Sequence, residues 1–192
     1  MNVYDFDKTI YDGDSTVDFY FFCLSRRPSV LRSFPLQLSA FARYGLKRIS
    51  KTRMKEIFFS YLKHTGDVPA LVEEFWAGHR QRLLPWYLEQ KRPDDVIISA
   101  SPEFLLRPVC QSLGVGRLIA SRVAVPSGAF DGLNCYAEEK PVRFAAECPG
   151  TQMEEFYSDS LSDSPMAQLA QRSFLVHKNT RKPWPPKTDE TP

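Results

Sequence analysis

From Asp94 onward, short apolar runs alternate with stretches of helical periodicity, and a wholly helical block separates them from one strand at the N-terminus. Val96-Ile97-Ile98 is a β-branched run suited to a parallel strand buried on both faces. A helix is expected from about Pro102, a strand over Leu118 to Val125, and turns at Ser127-Gly128 and Asp131-Gly132. A helix then covers Glu138 to Cys148, a strand Glu155 to Ser158, a helix follows Pro165, and Phe174 to Val176 forms the last strand. Met1 to Phe6 reads as the first strand. Such alternation leaves few topologies other than an α/β fold, a parallel sheet with helices on its faces.

The block from about Thr16 to Gln90 carries no strand pattern. Met54, Ile57, Phe58, Tyr61 and Leu62 recur at helical spacing. Leu38, Phe41 and Ala42 mark an earlier helix after Pro35. Asp67 is placed to cap a helix with Pro69 in its first turn and Leu71, Val72, Phe75 and Trp76 on its buried face. The chain therefore divides into a sheet-bearing unit, residues 1–13 and 91–179, and an inserted helical unit, residues 14–90. Residues 180–192 contain four prolines and no apolar periodicity, and read as a mobile tail.

The 192 residues are 43% hydrophobic, enough for a core of ordinary size. Cys23, Cys110, Cys135 and Cys148 lie far apart without a CxxC pair, so buried thiols are expected rather than a disulfide scaffold or zinc ribbon. No apolar run reaches the roughly 18 residues of a spanning helix, and the N-terminus has no basic and apolar leader pattern, so a cytoplasmic protein is expected. The net charge of +2 excludes a polyelectrolyte but hides an asymmetry. Residues 1–15 carry −3, residues 16–63 carry +8, and residues 64–192 carry −3.

Asp5 and Asp7 lie two apart, so an extended chain points both to one side and Phe6 to the other. They follow Val3 and Tyr4, at the carboxyl end of a strand, where ligand sites of open α/β sheets form. Two carboxylates there call for a cation, and oxygen-only ligation suits Mg²⁺. Ser99 also ends a strand, where a hydroxyl and the following N–H groups can hold a phosphoryl oxygen. Ser101, before Pro102 and Glu103, has the arrangement of a helix N-cap. Asp159 ends another strand, ready for the same cation. Asp163, before Ser164-Pro165, reads equally as a cap, and Lys140 taken alone reads as a solvated surface lysine.

Taken in order, Asp5-Phe6-Asp7-Lys8-Thr9, Val96-Ile97-Ile98-Ser99, Lys140 and Asp159-Ser160-Leu161-Ser162-Asp163 resemble the four motifs of haloacid dehalogenase superfamily phosphatases, phosphoserine-phosphatase-like branch (subfamily IB). The resemblance implies a Rossmann-like three-layer core with an inserted helical cap of the C1 type. It implies that Asp5 takes the phosphoryl group as an aspartyl-phosphate, and that Asp7 protonates the leaving oxygen and then activates water. Ser99 and Lys140 would hold the phosphoryl oxygens, with Ala100 beside them. Mg²⁺ would be bound by Asp5, the Asp7 carbonyl and Asp159, supported by Asp163, Ser160 and Thr9.

Two departures point away from phosphoserine itself. Asp14 stands where the phosphoserine phosphatases carry a glutamate that reads the substrate amine, and Ser99-Ala100-Ser101-Pro102 replaces their Ser-Gly-Gly. Asp14 is kept as a substrate-binding candidate, and a small-molecule phosphate ester is the expected partner. The aromatic and aliphatic residues of the basic block (Phe19, Tyr20, Phe21, Phe22, Phe34, Leu36, Phe41 and Tyr44) are expected to form the insertion's own core. The alternative is contact with an anionic lipid surface, peripheral to the membrane, and a lipid-phosphate substrate. Nucleic-acid binding by the basic block is the alternative outside catalysis, with no recognition motif to accompany it.

Overall fold

The computed structural model describes residues 1–186. β1 (Asn2–Tyr4) is followed by five helices: α1 (Ser15–Arg26), α2 (Phe34–Gly45), α3 (Lys51–Phe59), α4 (Val68–His79) and α5 (Pro85–Gln90). Then come β2 (Val96–Pro102), α6 (Glu103–Leu113), β3 (Arg117–Ser121), α7 (Glu139–Glu147), β4 (Met153–Ser158), α8 (Ser164–Ala167), β5 (Ala170–His177) and β6 (Thr180–Pro183). The strands form one six-stranded sheet in the order β3-β2-β1-β4-β5-β6, parallel except that β6 runs antiparallel to β5.

The inner strands β1 and β2 and the end of β4 are apolar on both faces because both faces are covered. Val3, Val96, Ile98 and Phe156 pack with Phe144, Met153 and Met166 against α7 and α8. Their neighbours Tyr4, Ile97 and Tyr157 pack on the other side with Trp76, Leu105 and Trp86. The Tyr4 and Tyr157 rings stack with centroids 4.9 Å apart, tying β1 to β4 on that face. The order reverses at β1, with β2 on one side and β4 on the other, so the carboxyl ends of β1 and β4 flank the switch point where α/β sheets open a crevice.

Several local expectations hold. Asp67 caps α4, its Oδ1 accepting from the Ala70 N–H at 3.0 Å, and Leu71, Val72, Phe75 and Trp76 are buried. Ile57, Tyr61 and Leu62 are buried, although α3 ends at Phe59 and the stripe continues through a tighter 3₁₀ segment, Ser60–His64. The four thiols are free and buried. No helix among the described residues is long and apolar enough to cross a membrane.

Other expectations need correction. β3 stops at Ser121, and Val123 makes only an isolated bridge to Phe130, because the chain turns back through Ser127-Gly128. The segment expected as a mobile tail begins with β6: Arg181 and Lys182 pair with Val176 and Leu175 across a hairpin at Lys178-Asn179. An edge strand tolerates the Pro183 that ends it. The rest of that tail, residues 187–192, lies outside the described residues. The aromatic residues of the basic block are split: Phe19 and Tyr20 are buried, whereas Phe21, Phe34, Leu36, Phe41 and Tyr44 are exposed, as is Leu38.

Candidate active site

The loop after β1 shapes the site. Asp5 continues the sheet by one bond, its N–H donating to the Tyr157 carbonyl at 2.8 Å. The chain then coils tightly, and the Phe6 carbonyl accepts from the N–H groups of Thr9, Ile10 and Tyr11. Phe6 points into the core, its ring edge-on to Trp76 at 5.8 Å, while Asp5 and Asp7 line one cavity of about 310 Å³. The two-residue spacing thus puts both carboxylates on the same side, as expected.

Four further candidates line that cavity from the ends of β2 and β4 and the start of α7: Ser99, Ala100, Lys140 and Asp159. Lys140 is 2% exposed, so the surface reading of it fails. Its Nζ donates to Asp5 Oδ1 at 2.8 Å and to Asp163 Oδ2 at 2.6 Å. Asp163 Oδ2 also accepts from the Ser158 hydroxyl at 2.7 Å, and its carboxylate makes no cap bond to α8. Asp163 is therefore the buried counter-charge that holds Lys140 against Asp5. Burial acts to lower the Lys140 pKa, but Asp5 and Asp163 together outweigh it and hold the ammonium above its ordinary value.

Asp7 is gripped from two elements. The Ser15 N–H donates to its Oδ1 at 2.7 Å, and the Ser101 hydroxyl donates to its Oδ2 at 2.5 Å. Ser101 is thus not the cap of α6. Pro102 occupies that position without a side-chain bond, and the Ser101 hydroxyl turns to Asp7 and to Thr16 Oγ1, 2.8 Å away. The register shift of β2 between Ser99 and Pro102 accompanies this turn. Ser99 Oγ accepts from the Ser101 N–H at 3.1 Å, which shapes the same corner. Burial first, then the nearby Asp14, pushes Asp7 up to about 6 against the opposing Ser101 and Ser15 bonds.

The remaining candidates are in supporting positions. Thr9 Oγ1 accepts from the Asp159 N–H at 2.9 Å, locking the β1 loop to the end of β4. Ser160 Oγ lies 2.9 Å from Ser162 Oγ and caps the short turn Leu161–Asp163. Asp14 lines the cavity but commits Oδ1 to the Val17 N–H at 3.1 Å as the N-cap of α1.

Sequence reasoning missed Ser101, Lys51 and Lys55, which line the same cavity. Ser101 was legible in principle, because it lies two residues from Ser99, the spacing that revealed Asp7. Lys55 carries no such signal. It projects from α3, and its Nζ donates to the Ala100 carbonyl at 2.8 Å and to Asn134 Oδ1 at 3.1 Å. Burial first, then Lys51, lowers its pKa to about 8.

The carboxylates fit a hard divalent cation. Burial raises the pKa of Asp5, with Lys140 opposing it and Asp163 adding to it. Burial also raises Asp159, with Lys8 opposing. The cavity thus penalises the charged form of these carboxylates, a cost that a bound cation would relieve. Among the described residues no three carboxylate, imidazole or thiolate side chains form a ready cage; the set that the resemblance implies is two carboxylates, Asp5 and Asp159, with the Asp7 carbonyl. An oxygen-only set with few protein ligands suits Mg²⁺, which keeps several waters.

Residues 3–168 match the family model described as haloacid dehalogenase-like hydrolase. The chain is 33% identical over 91 residues to a probable phosphatase of Mycobacterium tuberculosis (strain ATCC 25618 / H37Rv), a match covering 44% of this chain and 32% of the relative. The match thus spans about a third of that relative's length. Among solved structures, the fold is similar to a protein of unknown function from Bordetella pertussis Tohama I, with a TM-score of 0.73 and 23% identity over 90% of this chain and 87% of that one. It is also similar to a probable phosphoserine phosphatase from Vibrio cholerae, with a TM-score of 0.62 and 13% identity over 90% of this chain and 55% of that one. These two likenesses establish the Rossmann-like fold.

Proposed function

The chain belongs to the haloacid dehalogenase-like hydrolase family, and we propose that it is a Mg²⁺-dependent phosphatase acting on a small-molecule phosphate monoester. The observation that carries this reading is the buried Lys140 ammonium bridging Asp5 and Asp163, with Asp7 in the same cavity. A buried carboxylate whose one oxygen is fixed by a lysine has its other oxygen free to attack, and the lysine is preorganised for the charge on a transferring phosphoryl group.

In this reading Asp5 attacks phosphorus, the ester oxygen leaves, and an aspartyl-phosphate forms. Asp7, raised to about 6, gives its proton to the leaving oxygen, then accepts one from the water that hydrolyses the intermediate. Ser101 and Ser15 fix the Asp7 carboxyl in place for both steps. Ser99, with Ala100 beside it, would hold the phosphoryl oxygens together with Lys140. Bound Mg²⁺ would neutralise charge on the phosphoryl oxygens and on Asp5. We assign residues 1–13 and 91–179, extended by strand β6, to the catalytic core and residues 14–90 to a cap over it. Asp14 lines the substrate side of the cavity, with one oxygen spent on capping α1.

Phosphate release from a panel of phosphorylated amino acids, sugars, nucleotides and lipids, with Mg²⁺ and with EDTA, tests the reading. Turnover of at least one monoester that EDTA abolishes and Mg²⁺ restores is expected. Absence of turnover across the panel, or full turnover in Asp5→Asn free of contaminating enzyme, overturns it.

A further inference from the structure

Helix α2 is inside out. Its buried positions are Gln37 and Ala40, with Ser33 just before it. Phe34, Leu38 and Phe41, spaced i, i+4 and i+7 and so on one side of the helix, are 50%, 58% and 46% exposed. A surface helix ordinarily turns such a stripe to the core. Polar bonds fix the opposite orientation: the Tyr20 hydroxyl donates to Gln37 Oε1 at 3.1 Å, and Gln37 Nε2 donates to the Phe58 carbonyl at 2.8 Å. The apolar stripe is held outward by a satisfied buried glutamine, not left over from loose packing.

The exposure is concentrated. Among the described residues, nine of the fifteen exposed large hydrophobics fall between Val17 and Leu46. The same region carries unneutralised cations. Arg26 and Arg53 pair with Glu74 and Glu56, but Arg32, Arg43, Lys47 and Arg48 have no carboxylate within ion-pair distance among the described residues. Outward aliphatic and aromatic side chains among free cations are the chemistry of a helix lying in the interface of an anionic bilayer.

We propose that this face of the helical insertion docks on an anionic phospholipid bilayer, with Phe34, Leu38 and Phe41 at the acyl boundary and the cations beside the two ends of α2, Arg32, Lys47 and Arg48, at the phosphates. A nucleic acid would use the cations but not the leucines. A second copy packed about a two-fold axis would set the +8 segment against itself. The face is continuous with the cavity, because Phe41 lines its mouth and packs on Phe58 with centroids 6.1 Å apart. The proposal goes beyond the phosphatase reading and does not depend on it.

The test is co-sedimentation of the full chain with vesicles of phosphatidylcholine alone or mixed with phosphatidylglycerol, at low and high salt. We compare wild type with Phe34→Ser/Leu38→Ser and with Lys47→Glu/Arg48→Glu, each checked for an unchanged melting temperature. Retention on the anionic vesicles is expected, about tenfold weaker in either double variant and weakened by salt. Leu38→Trp should show an emission shift to the blue on the same vesicles. The proposal is overturned by no retention at low salt, by equal retention in all variants, or by an unshifted Leu38→Trp emission. It is also overturned by a lipid-free oligomer that the Phe34/Leu38 variant dissociates, or by RNA binding that ignores Phe34 and Leu38 and matches the vesicle affinity. Hydrolysis of p-nitrophenyl phosphate without lipid reports separately on the phosphatase reading.

Discussion

Lys55 Nζ lies 2.8 Å from the Ala100 carbonyl, so a lysine of α3 in the helical insertion is bonded to the main chain at the end of β2. Its pKa is lowered to about 8, chiefly by burial. The folded state therefore releases this proton before the unfolded chain does. Below about pH 8 the full cost of a buried ammonium is present, and it is relieved as pH rises from about 8 towards the unfolded value of 10.5. Wild type should gain stability relative to Lys55→Met over that window. Urea unfolding of both proteins at pH 7 and pH 9.5 checks it, and a constant difference between them refutes it.

Removing Lys140 leaves Asp5 and Asp163 buried without their cation. Lys140→Met should lose about 3 kcal/mol of stability at pH 7, the cost of breaking a buried ion pair. The loss should shrink at pH 5, because the orphaned Asp5 carboxyl, already raised by burial and raised further by losing the lysine, is then protonated. Turnover should fall by about 10²–10³ or more, the scale for one preorganised donor in a reacting site. Denaturant melts at the two pH values and steady-state kinetics measure both effects.

In the proposed mechanism Asp7 must be protonated to assist a leaving oxygen, and its acid form is lost as pH rises through about 6. Asp7→Asn should therefore cost much more with an alkyl phosphate than with p-nitrophenyl phosphate, whose leaving group needs little help. Ser101→Ala removes a bond that holds the Asp7 pKa down. The alkaline fall of the alkyl-phosphate rate should then move to higher pH. Equal losses on both substrates, or an alkaline limb unmoved in Ser101→Ala, would contradict these roles.

Gly13 closes the loop that carries Asp5 and Asp7. Its φ is +152°, the Lys8 N–H donates to its carbonyl at 2.9 Å, and a Cβ there would collide with Arg82 Nη2. Arg82 pairs with Asp18 at 2.7 Å, so it cannot retreat without breaking that contact. Gly13→Ala should destabilise the chain by about 1–3 kcal/mol, with backbone strain as the main cause. Thermal unfolding checks it, and an unchanged melting temperature would contradict the strain.

The local signals in the sequence are strong where one backbone rule acts alone. Alternation along an extended chain put Asp5 and Asp7 on one side and Phe6 on the other, and the Asp67 cap and the stripe on α4 followed from helix geometry. Both-face burial is also written in Val96-Ile97-Ile98, because a strand covered on two sides needs no polar alternation. What the sequence did not decide are contacts between residues far apart in the chain. Lys140 looked like a surface lysine and Asp163 like a cap because their partners are 135 and 23 residues from Lys140. Ser101 looked like a cap because its tie to Asp7 spans 94 residues. The outward stripe of α2 was read as core because apolar periodicity gives a face but not its direction. Gln37, anchored between Tyr20 and Phe58, sets that direction, and only the packed structure brings those three residues together.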